Sequence, residues 1–118
     1  FNKGYGIAKD NKESAKYFQR AANLGHLKAQ FTIAYMYENG IGARLDGKEA
    51  YKWYLKAANQ GMKKAQRKMG DLYYDGIGTK RDLEKAAYCY KKVADQGDLV
   101  AKKLYEKVMF DLKKGRVY

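Results

Sequence analysis

The chain has 118 residues, of which 46% are hydrophobic and 14% aromatic, so it is long enough for one domain with an apolar core. Its 25 lysines and arginines against 13 acidic residues give a net charge of +12, which favours acidic partners and equally suits a solvated, lysine-rich surface. A single cysteine excludes an intrachain disulfide, and no apolar run approaches the ~18 residues of a membrane span. The absence of proline, with helical periodicity throughout, predicts an all-α fold.

The sequence repeats itself with a period of 36 residues. Six positions agree in all three copies without a gap, and each holds glycine, alanine or aspartate. A period of this length is typical of an array of stacked structural units. The recurring sets are Gly4, Gly40 and Gly76; Gly6, Gly42 and Gly78; Asp10, Asp46 and Asp82; Ala22, Ala58 and Ala94; Gly25, Gly61 and Gly97; and Ala29, Ala65 and Ala101.

Apolar spacing predicts six helices, at residues 10–24, 28–39, 46–60, 64–74, 82–96 and 99–114. From Ala29 to Tyr37 the apolar residues fall at offsets of 0, 4, 5, 7 and 8, which is one face of a helix. The Gly40-x-Gly42 segment then reverses the chain, because glycine adopts the left-handed conformation that closes a helix. The matching glycines at positions 4 and 6 predict a turn ahead of the first helix.

An aspartate is expected to open the second helix of each pair. The carboxylate of Asp46 suits the unpaired amides of a first helical turn, and Glu49 makes a capping-box variant three residues later. Asp10 begins the same arrangement in the first copy. In the third copy Asp82 is followed by Lys85, so only half of the capping device is retained.

Aromatic residues recur beside alanines in the second helix of each pair. The rings fill space, while the alanines let neighbouring helices approach closely. Cys89 stands in the column of Tyr17 and Trp53, so we expect it to face the core as an inert apolar filler. The three sets are Ser14, Tyr17, Phe18, Ala21 and Ala22; Ala50, Trp53, Tyr54, Ala57 and Ala58; and Ala86, Cys89, Tyr90, Val93 and Ala94.

The repeats divide the chain into a partial repeat at residues 1–28, two full repeats at 29–64 and 65–100, and a capping helix at 101–118. Glu106 and Leu112 depart from columns of small residues. We therefore expect the last helix to run on as a polar-faced cap, which terminal repeats need for solubility. Because the chain starts at Phe1, inside a repeat, we expect this single array to be a fragment of a longer protein.

These columns resemble the Sel1-like repeat family, a branch of the tetratricopeptide superfamily. The resemblance covers about residues 1–112 and departs from the family pattern at Cys89, at Val93 and in the last helix. It implies a right-handed superhelix of helical hairpins that serves as a scaffold or adaptor for other proteins, often in bacteria. The matching residues are Ala65, Met69-Gly70, Tyr73, Gly76-Ile77-Gly78, Asp82 and Lys85-Ala86, and in the preceding copy Trp53-Tyr54, Lys56-Ala57-Ala58 and Gly61.

The residue types predict no catalytic, cofactor or metal site. The Gly-x-Gly segments lack the third glycine and the preceding strand of a dinucleotide-binding loop. Cys89 and His26 are the single cysteine and histidine, too few for a zinc site, and the variable column of His26 indicates a solvent-facing turn. Glu38, Asp71 and Asp75 are expected to be solvated loop charges. We therefore predict that the protein is not an enzyme and takes no cofactor.

Basic residues follow one face of the first two second-position helices. This stripe lies opposite the apolar face, on the side that the resemblance makes convex. It suits contacts to the charges of a polyanion, or is simply the wet outer surface of a helix, and no aromatic residue interleaves the cations to stack on bases. The stripe consists of Lys12, Lys16 and Arg20, then Lys48, Lys52 and Lys56.

The first helix of each pair carries the columns that vary most between copies, and by the resemblance these helices line the concave groove. Phe31 and Tyr35 lie one turn apart, and we expect them to be exposed anchors for an apolar group. The alternative is that Phe31 packs against a preceding helix or a missing repeat. The predicted groove residues are Phe31, Tyr35, Arg67, Asp71, Tyr74, Lys103 and Lys107.

Two functions follow from these surfaces. The preferred one is a non-catalytic scaffold that binds an acidic or amphipathic peptide, or a protein partner, in the groove. The alternative is a basic array that binds a polyanion, either nucleic acid or an anionic cell-surface polymer. We also expect the truncated N-terminal edge to invite self-association. The bacterial cytoplasm, the periplasm and secretion are all compatible with the sequence.

Overall fold

The computed structural model describes the backbone of residues 3–117 and the side chains of residues 10–115. Within this part of the chain there are six helices and no strand: α1 (Lys3–Asn23), α2 (Leu27–Asn39), α3 (Gly47–Asn59), α4 (Lys63–Asp75), α5 (Leu83–Ala94) and α6 (Leu99–Val117). Each helix packs against the next one along the chain, and the molecule extends 54 × 27 × 25 Å. The predicted all-α repeat superhelix is confirmed. No described helix is both long and apolar enough to cross a bilayer.

Aspartates cap the second helices of the later repeats. Asp46 accepts hydrogen bonds from the backbone amides of Lys48 and Glu49, each at 3.1 Å, and Asp82 accepts from the Lys85 amide at 3.0 Å. The predicted capping box is wrong in its second half, because the Asp46 amide donates to a backbone carbonyl in α2. The Glu49 carboxylate instead accepts from the Trp53 indole at 3.3 Å.

The glycine turns set how closely successive repeats approach each other. Gly42 and Gly78 have φ of 71° and 75°, in the left-handed region that favours glycine. A Cβ at Gly42 would lie 2.1 Å from the carbonyl oxygen of Asn11, and a Cβ at Gly78 would lie 2.3 Å from that of Gly47. Each turn therefore packs directly on the backbone of an earlier helix, α1 for Gly42 and α3 for Gly78, where no side chain fits.

The first helix differs from its prediction, while the other five agree with theirs to within about three residues. α1 is continuous from Lys3 to Asn23, so Gly4 and Gly6 make no turn and Asp10 caps nothing. The later turns are held between a helix that ends there and the backbone of an earlier helix. No described helix precedes α1 to provide that support. The chain at Gly4 and Gly6 therefore stays helical, although each glycine destabilises a helix by about 1 kcal/mol relative to alanine.

The core is built from the recurring rings and small residues. Tyr54 and Tyr90 are fully buried, and Trp53 is 4% exposed. Gly70 allows the third-copy ring to lie against α4, since a Cβ there would be 2.5 Å from the Tyr90 ring. Its counterpart in the preceding repeat is the buried Ala34.

The column of Trp53 is exposed in the first copy, whereas Cys89 packs against the core as predicted. Tyr17 is 65% exposed, because no described helix precedes α1 to cover it. Cys89 is only half-buried and borders a cavity. Its side chain is too short to fill the space that an indole takes.

The last helix runs on as predicted, and its exposed side chains are both charged and apolar. α6 runs on to Val117, but it exposes Leu99, Val100 and Phe110 at 72%, 54% and 63%. Its buried side is anchored by Ala101 and Val108. The surface of the last helix is therefore mixed, since it also exposes Lys102, Lys103, Glu106, Lys107, Lys113 and Lys114.

Candidate partner-binding face

The first helices of successive repeats lie side by side and are joined by polar contacts. The Lys68 ammonium of α4 lies 2.9 Å from the Glu38 carboxylate of α2. The Tyr74 hydroxyl of α4 donates to Asp111 of α6 at 2.6 Å, and Lys107 Nζ lies 5.0 Å from the centre of the Tyr74 ring. We call the surface formed by α2, α4 and α6 the first-helix face.

The Glu38 carboxylate accepts a hydrogen bond from a buried tyrosine in addition to its ion pair with Lys68. The Tyr54 hydroxyl, which reaches across from α3, donates to Glu38 Oε1 at 2.7 Å. Burial, together with the hydrogen bond to Glu38, raises the pKa of Tyr54 well above its ordinary value. Tyr54, Glu38 and Lys68 thus form a neutral–acidic–basic chain that links three helices.

The next repeat has a similar arrangement with a different acceptor. The Tyr90 hydroxyl of α5 donates to Asp71 of α4. Burial, together with this hydrogen bond, raises the pKa of Tyr90 well above its ordinary value. The prediction that Glu38 and Asp71 are solvated loop charges is therefore wrong, because both lie on helices and satisfy buried hydroxyls. Asp75, the last residue of α4, is exposed.

The two predicted aromatic anchors have different environments. Phe31 is half-buried, with its ring 5.3 Å from the ring of Tyr54 in an edge-to-face contact, so the expectation that it is exposed is wrong. It packs on the following helix through this ring contact. Tyr35, one turn further along α2, is 48% exposed. Tyr35 alone of this pair offers an accessible ring.

The predicted groove cations are divided between internal contacts and solvent. Arg67 forms an ion pair with Asp98 at 3.4 Å. Lys107 lies over the Tyr74 ring, and Arg81 covers the same ring at 5.1 Å. Lys103 is exposed on α6, one turn before Lys107. A cavity of about 190 Å³ lies between α4, α5 and α6, bordered by Asp71, Tyr74, Asp75, Tyr90, Leu104 and Lys107.

Sequence reasoning missed the residues that tie the face together, which are Lys68, Asp98 and Asp111. A signal for part of this network was present. The first copy has Phe18 where the later copies have Tyr54 and Tyr90, and a hydroxyl added to a core ring needs an acceptor. The acceptors are the carboxylates of Glu38 and Asp71, each on the helix that precedes its tyrosine.

The six cations of the basic stripe are all exposed to solvent on α1 and α3. Lys52 forms an ion pair with Glu49 at 3.1 Å. Lys52 and Lys56 also lie over the Trp53 ring, at 5.0 and 5.5 Å from its centre. Three of these cations, Lys12, Lys16 and Arg20, border a cleft of about 630 Å³ between α1 and α2.

The described side chains contain no cluster of three potential metal ligands. Burial raises the pKa of the Cys89 thiol, with a smaller opposing effect of Lys92, so the reactive thiolate form is disfavoured. On the first-helix face, Glu38, Asp71 and Asp111 accept tyrosine hydroxyls, and Asp75 is exposed at the end of α4.

Comparison with known families identifies the repeat. The model of the Sel1 repeat matches residues 1–26, 27–62 and 63–98, which together make up most of the chain. The chain belongs to the Sel1 repeat family. Its second and third matched repeats begin two residues earlier than the boundaries expected from the sequence. A comparison with curated proteins gives no match.

Solved structures similar to this Sel1 repeat chain come from bacteria. A Sel1 repeat protein from Oxalobacter formigenes is 38% identical over 80% of this chain and 39% of its own length, with a TM-score of 0.73. The protein c5321, a protective antigen of uropathogenic Escherichia coli with an SLR fold, is 36% identical over 76% of this chain and 19% of its own, also with a TM-score of 0.73. This chain thus spans well under half of either structure.

A third similar structure is cysteine rich protein B of Helicobacter pylori. It is 22% identical over 76% of this chain and 68% of its own, with a TM-score of 0.69. At this identity the likeness concerns the fold alone.

Proposed function

We propose that this chain is a non-catalytic scaffold that binds a peptide segment of a partner protein on the first-helix face. Sel1 repeat proteins generally mediate protein–protein interactions and are typically non-catalytic. The observation that carries the proposal is that Tyr35, Lys103 and Lys107 are exposed on a surface where Glu38, Asp71 and Asp111 are already paired internally.

The internal pairs make this surface rigid before a partner arrives. Glu38, Asp71 and Asp111 each accept a hydrogen bond from a tyrosine hydroxyl. These bonds join α2 to α3, α4 to α5 and α4 to α6. A surface that needs no reordering loses less free energy on binding. This favours the first-helix face over the turns as the place where a partner docks.

The accessible groups indicate the chemistry of the partner. Tyr35 at one end of the face offers a large ring, which suits an apolar or aromatic side chain. Lys103 and Lys107, one helical turn apart at the other end, suit carboxylates. The complementary ligand is a peptide with an apolar anchor and an acidic segment, lying across the three first helices.

A peptide-display library panned on the whole chain supplies the ligand for the test. We expect selected peptides to be acidic with an aromatic or aliphatic anchor, and Tyr35→Ala or Lys103→Glu/Lys107→Glu to weaken their binding at least tenfold in fluorescence anisotropy. The matched controls are Tyr17→Ala and Lys12→Glu/Lys16→Glu, which alter an exposed ring and two exposed cations on α1. Equal effects of the face variants and the controls would count against this assignment.

We infer polyanion binding on the basic stripe as the second candidate. It is favoured by the exposure of all six cations and by the cleft that Lys12, Lys16 and Arg20 border. Two of the six, Lys52 and Lys56, lie over the Trp53 ring, as Lys107 of the first-helix face lies over the Tyr74 ring. The first-helix face remains the preferred surface because Sel1 repeat proteins generally mediate protein–protein interactions.

Salt dependence separates the two candidates. Polyanion binding predicts that affinity for heparin or for a random DNA duplex collapses between low and physiological salt. Lys12→Glu/Lys16→Glu would then abolish that binding and leave the selected peptides unaffected. Retention of heparin affinity by this variant would show that the stripe is not the polyanion-binding surface.

A further inference from the structure

A cavity of about 280 Å³ lies between α3, α4 and α5, away from the first-helix face. Its wall includes apolar side chains from two helices and the half-buried thiol of Cys89 on α5. None of its lining residues belongs to the predicted groove or to the basic stripe. The residues that matter for its chemistry are Leu55, Ala58, Met69, Tyr73, Lys85 and Lys92.

The preceding repeat shows what this space is shaped to hold. Cys89 corresponds to Trp53, which is 4% exposed and packs in a core cluster with Ala22 and Ile33. Those two residues correspond to Ala58 and Met69, which line the cavity. The cavity is therefore the place of an indole ring that α5 does not supply.

The charge at the mouth of this cavity is reversed relative to the preceding repeat. There, Glu49 accepts a hydrogen bond from the Trp53 indole at 3.3 Å. The residue that corresponds to Glu49 is Lys85, whose ammonium lies 5.6 Å from the centre of the Tyr73 ring. Lys92 is a second lining cation, and the lining includes no carboxylate. An occupant that carries its own carboxylate is thus complementary to the mouth.

One polar group in the cavity wall lacks the partner that its counterpart has. Gln66 lines the cavity and is 8% exposed, and its Oε1 accepts no hydrogen bond among the described residues. In the preceding repeat Gln30 Oε1 accepts from Gln60 at 2.6 Å. The residue that corresponds to Gln60 is Gln96, which donates to the Lys92 carbonyl instead. Packing and pairing are thus both incomplete at this one place in the array.

We propose that this cavity binds a small planar aromatic carboxylate, with its ring in the space that Trp53 fills one repeat earlier and its carboxylate between Lys85 and Lys92. The volume suits such a ligand, since an apolar cavity of roughly 150 Å³ is enough to hold benzene. The apolar walls hold the ring, and the two ammonium groups distinguish an acid from a neutral ring of the same size.

The single cysteine gives a site-specific readout of occupancy. The probe is indole-3-acetate, and the measured quantity is the rate at which iodoacetamide alkylates Cys89 in the whole chain. We expect millimolar indole-3-acetate to slow alkylation at least threefold, neutral indole to slow it less, and acetate to have no effect. Amide chemical-shift changes on adding the probe should be largest around Met69, Tyr73 and Cys89.

Two sets of variants test the ring and the charge separately. Cys89→Trp supplies the missing indole, so it should weaken binding of the probe at least tenfold and raise the melting temperature. Lys85→Gln/Lys92→Gln should bring the affinity for indole-3-acetate down to that for neutral indole. The control Lys80→Gln/Lys91→Gln removes the same charge from exposed residues outside the cavity and should leave binding unchanged.

Three results would overturn the proposal. The first is unchanged alkylation of Cys89 at saturating probe, and the second is a set of shift changes that lies away from the cavity. The third is equal loss of affinity in the cavity and control lysine variants. Should Cys89→Trp fail to fold, the lysine pairs and the alkylation rates still decide the outcome, because they use chains with the native cysteine.

Discussion

At the scale of single residues, the pairing of buried tyrosine hydroxyls links the two helices of each later repeat. The period of 36 residues places Tyr54 and Tyr90 in the core, and both are buried. Their acceptors were not predictable in the same way, because Glu38 and Asp71 occupy different columns of the repeat. A comparison of columns treats the copies alike, so it misses a partner that changes position between them.

Removal of the Tyr54 hydroxyl should therefore destabilise the chain. Tyr54→Phe leaves the Glu38 carboxylate, whose side chain is 16% exposed, with Lys68 as its remaining partner. Because the lost hydrogen bond is to a charged group, we expect the free energy of unfolding to fall by about 1.5–3 kcal/mol. Urea denaturation followed by circular dichroism measures it. Tyr17→Phe, at a 65% exposed position, is the control and should change stability by less than about 0.5 kcal/mol.

At the scale of helices, glycine has different structural roles, and the sequence distinguishes between them only in part. Gly40 and Gly76 were predicted to end helices, and both adopt the left-handed conformation at the end of α2 and α4. The same column places Gly4 inside α1, because a turn also needs a helix to fold back on. Gly70 lies within α4, and there the need for glycine comes from the Tyr90 ring across the interface.

Two alanine substitutions separate these roles of helical glycine. Gly70→Ala puts a Cβ 2.5 Å from the Tyr90 ring, so the ring must shift, and we expect a loss of about 1–3 kcal/mol of stability. Gly115→Ala, near the end of α6 with nothing within 4 Å of the added Cβ, should stabilise by up to about 1 kcal/mol through helix propensity. Thermal and urea unfolding of the two variants measures the contrast. A stabilising Gly70→Ala would contradict the packing described here.

At the scale of the whole molecule, the stacked architecture could be predicted from the 36-residue period, whereas the first-helix face could not. From α2 onward the helices lie where the recurring glycines, alanines and rings predict them, because those residues serve the contacts that the later copies share. The first-helix face and the indole-sized cavity depend on residues that differ between copies, such as Lys68, Asp111 and Cys89. Their neighbours lie a repeat away, and no local pattern specifies which residue will meet which.

Alkaline pH should weaken the whole array through its buried tyrosines. Burial is the largest cause that raises the pKa of Tyr54, Tyr73 and Tyr90 above 10, followed for each by its hydrogen bond. Above pH 10 the unfolded chain therefore loses these protons before the folded chain does, so stability is retained below pH 10 and falls as the pH rises further. The two buried tyrosines, Tyr54 and Tyr90, each contribute a slope of about 1.4 kcal/mol per pH unit in that range. Urea unfolding at pH 9, 10 and 11 should show a shallower decline in Tyr54→Phe/Tyr90→Phe, and an unchanged slope would contradict this assignment.

The array should also lose stability locally, since each repeat is supported mainly by its neighbours. α3 and α4 are packed on both sides, whereas α6 ends the described array and exposes Phe110. Native-state hydrogen exchange should therefore be slowest in α3 and α4 and fastest in the last turns of α6.

Gly70→Ala makes this expectation sharper, because it disturbs the contact between α4 and α5. In an array with nearest-neighbour coupling, the exchange of amides in α5 and α6 should accelerate more than that of amides in α2. In a domain that unfolds only as one unit, the slowly exchanging amides of all three helices would accelerate by the same factor. Gly115→Ala serves as the opposite control, since it should slow exchange at the end of α6 and leave α2 unchanged. A uniform response to Gly70→Ala would show that the three repeats behave as a single cooperative unit and not as a stack.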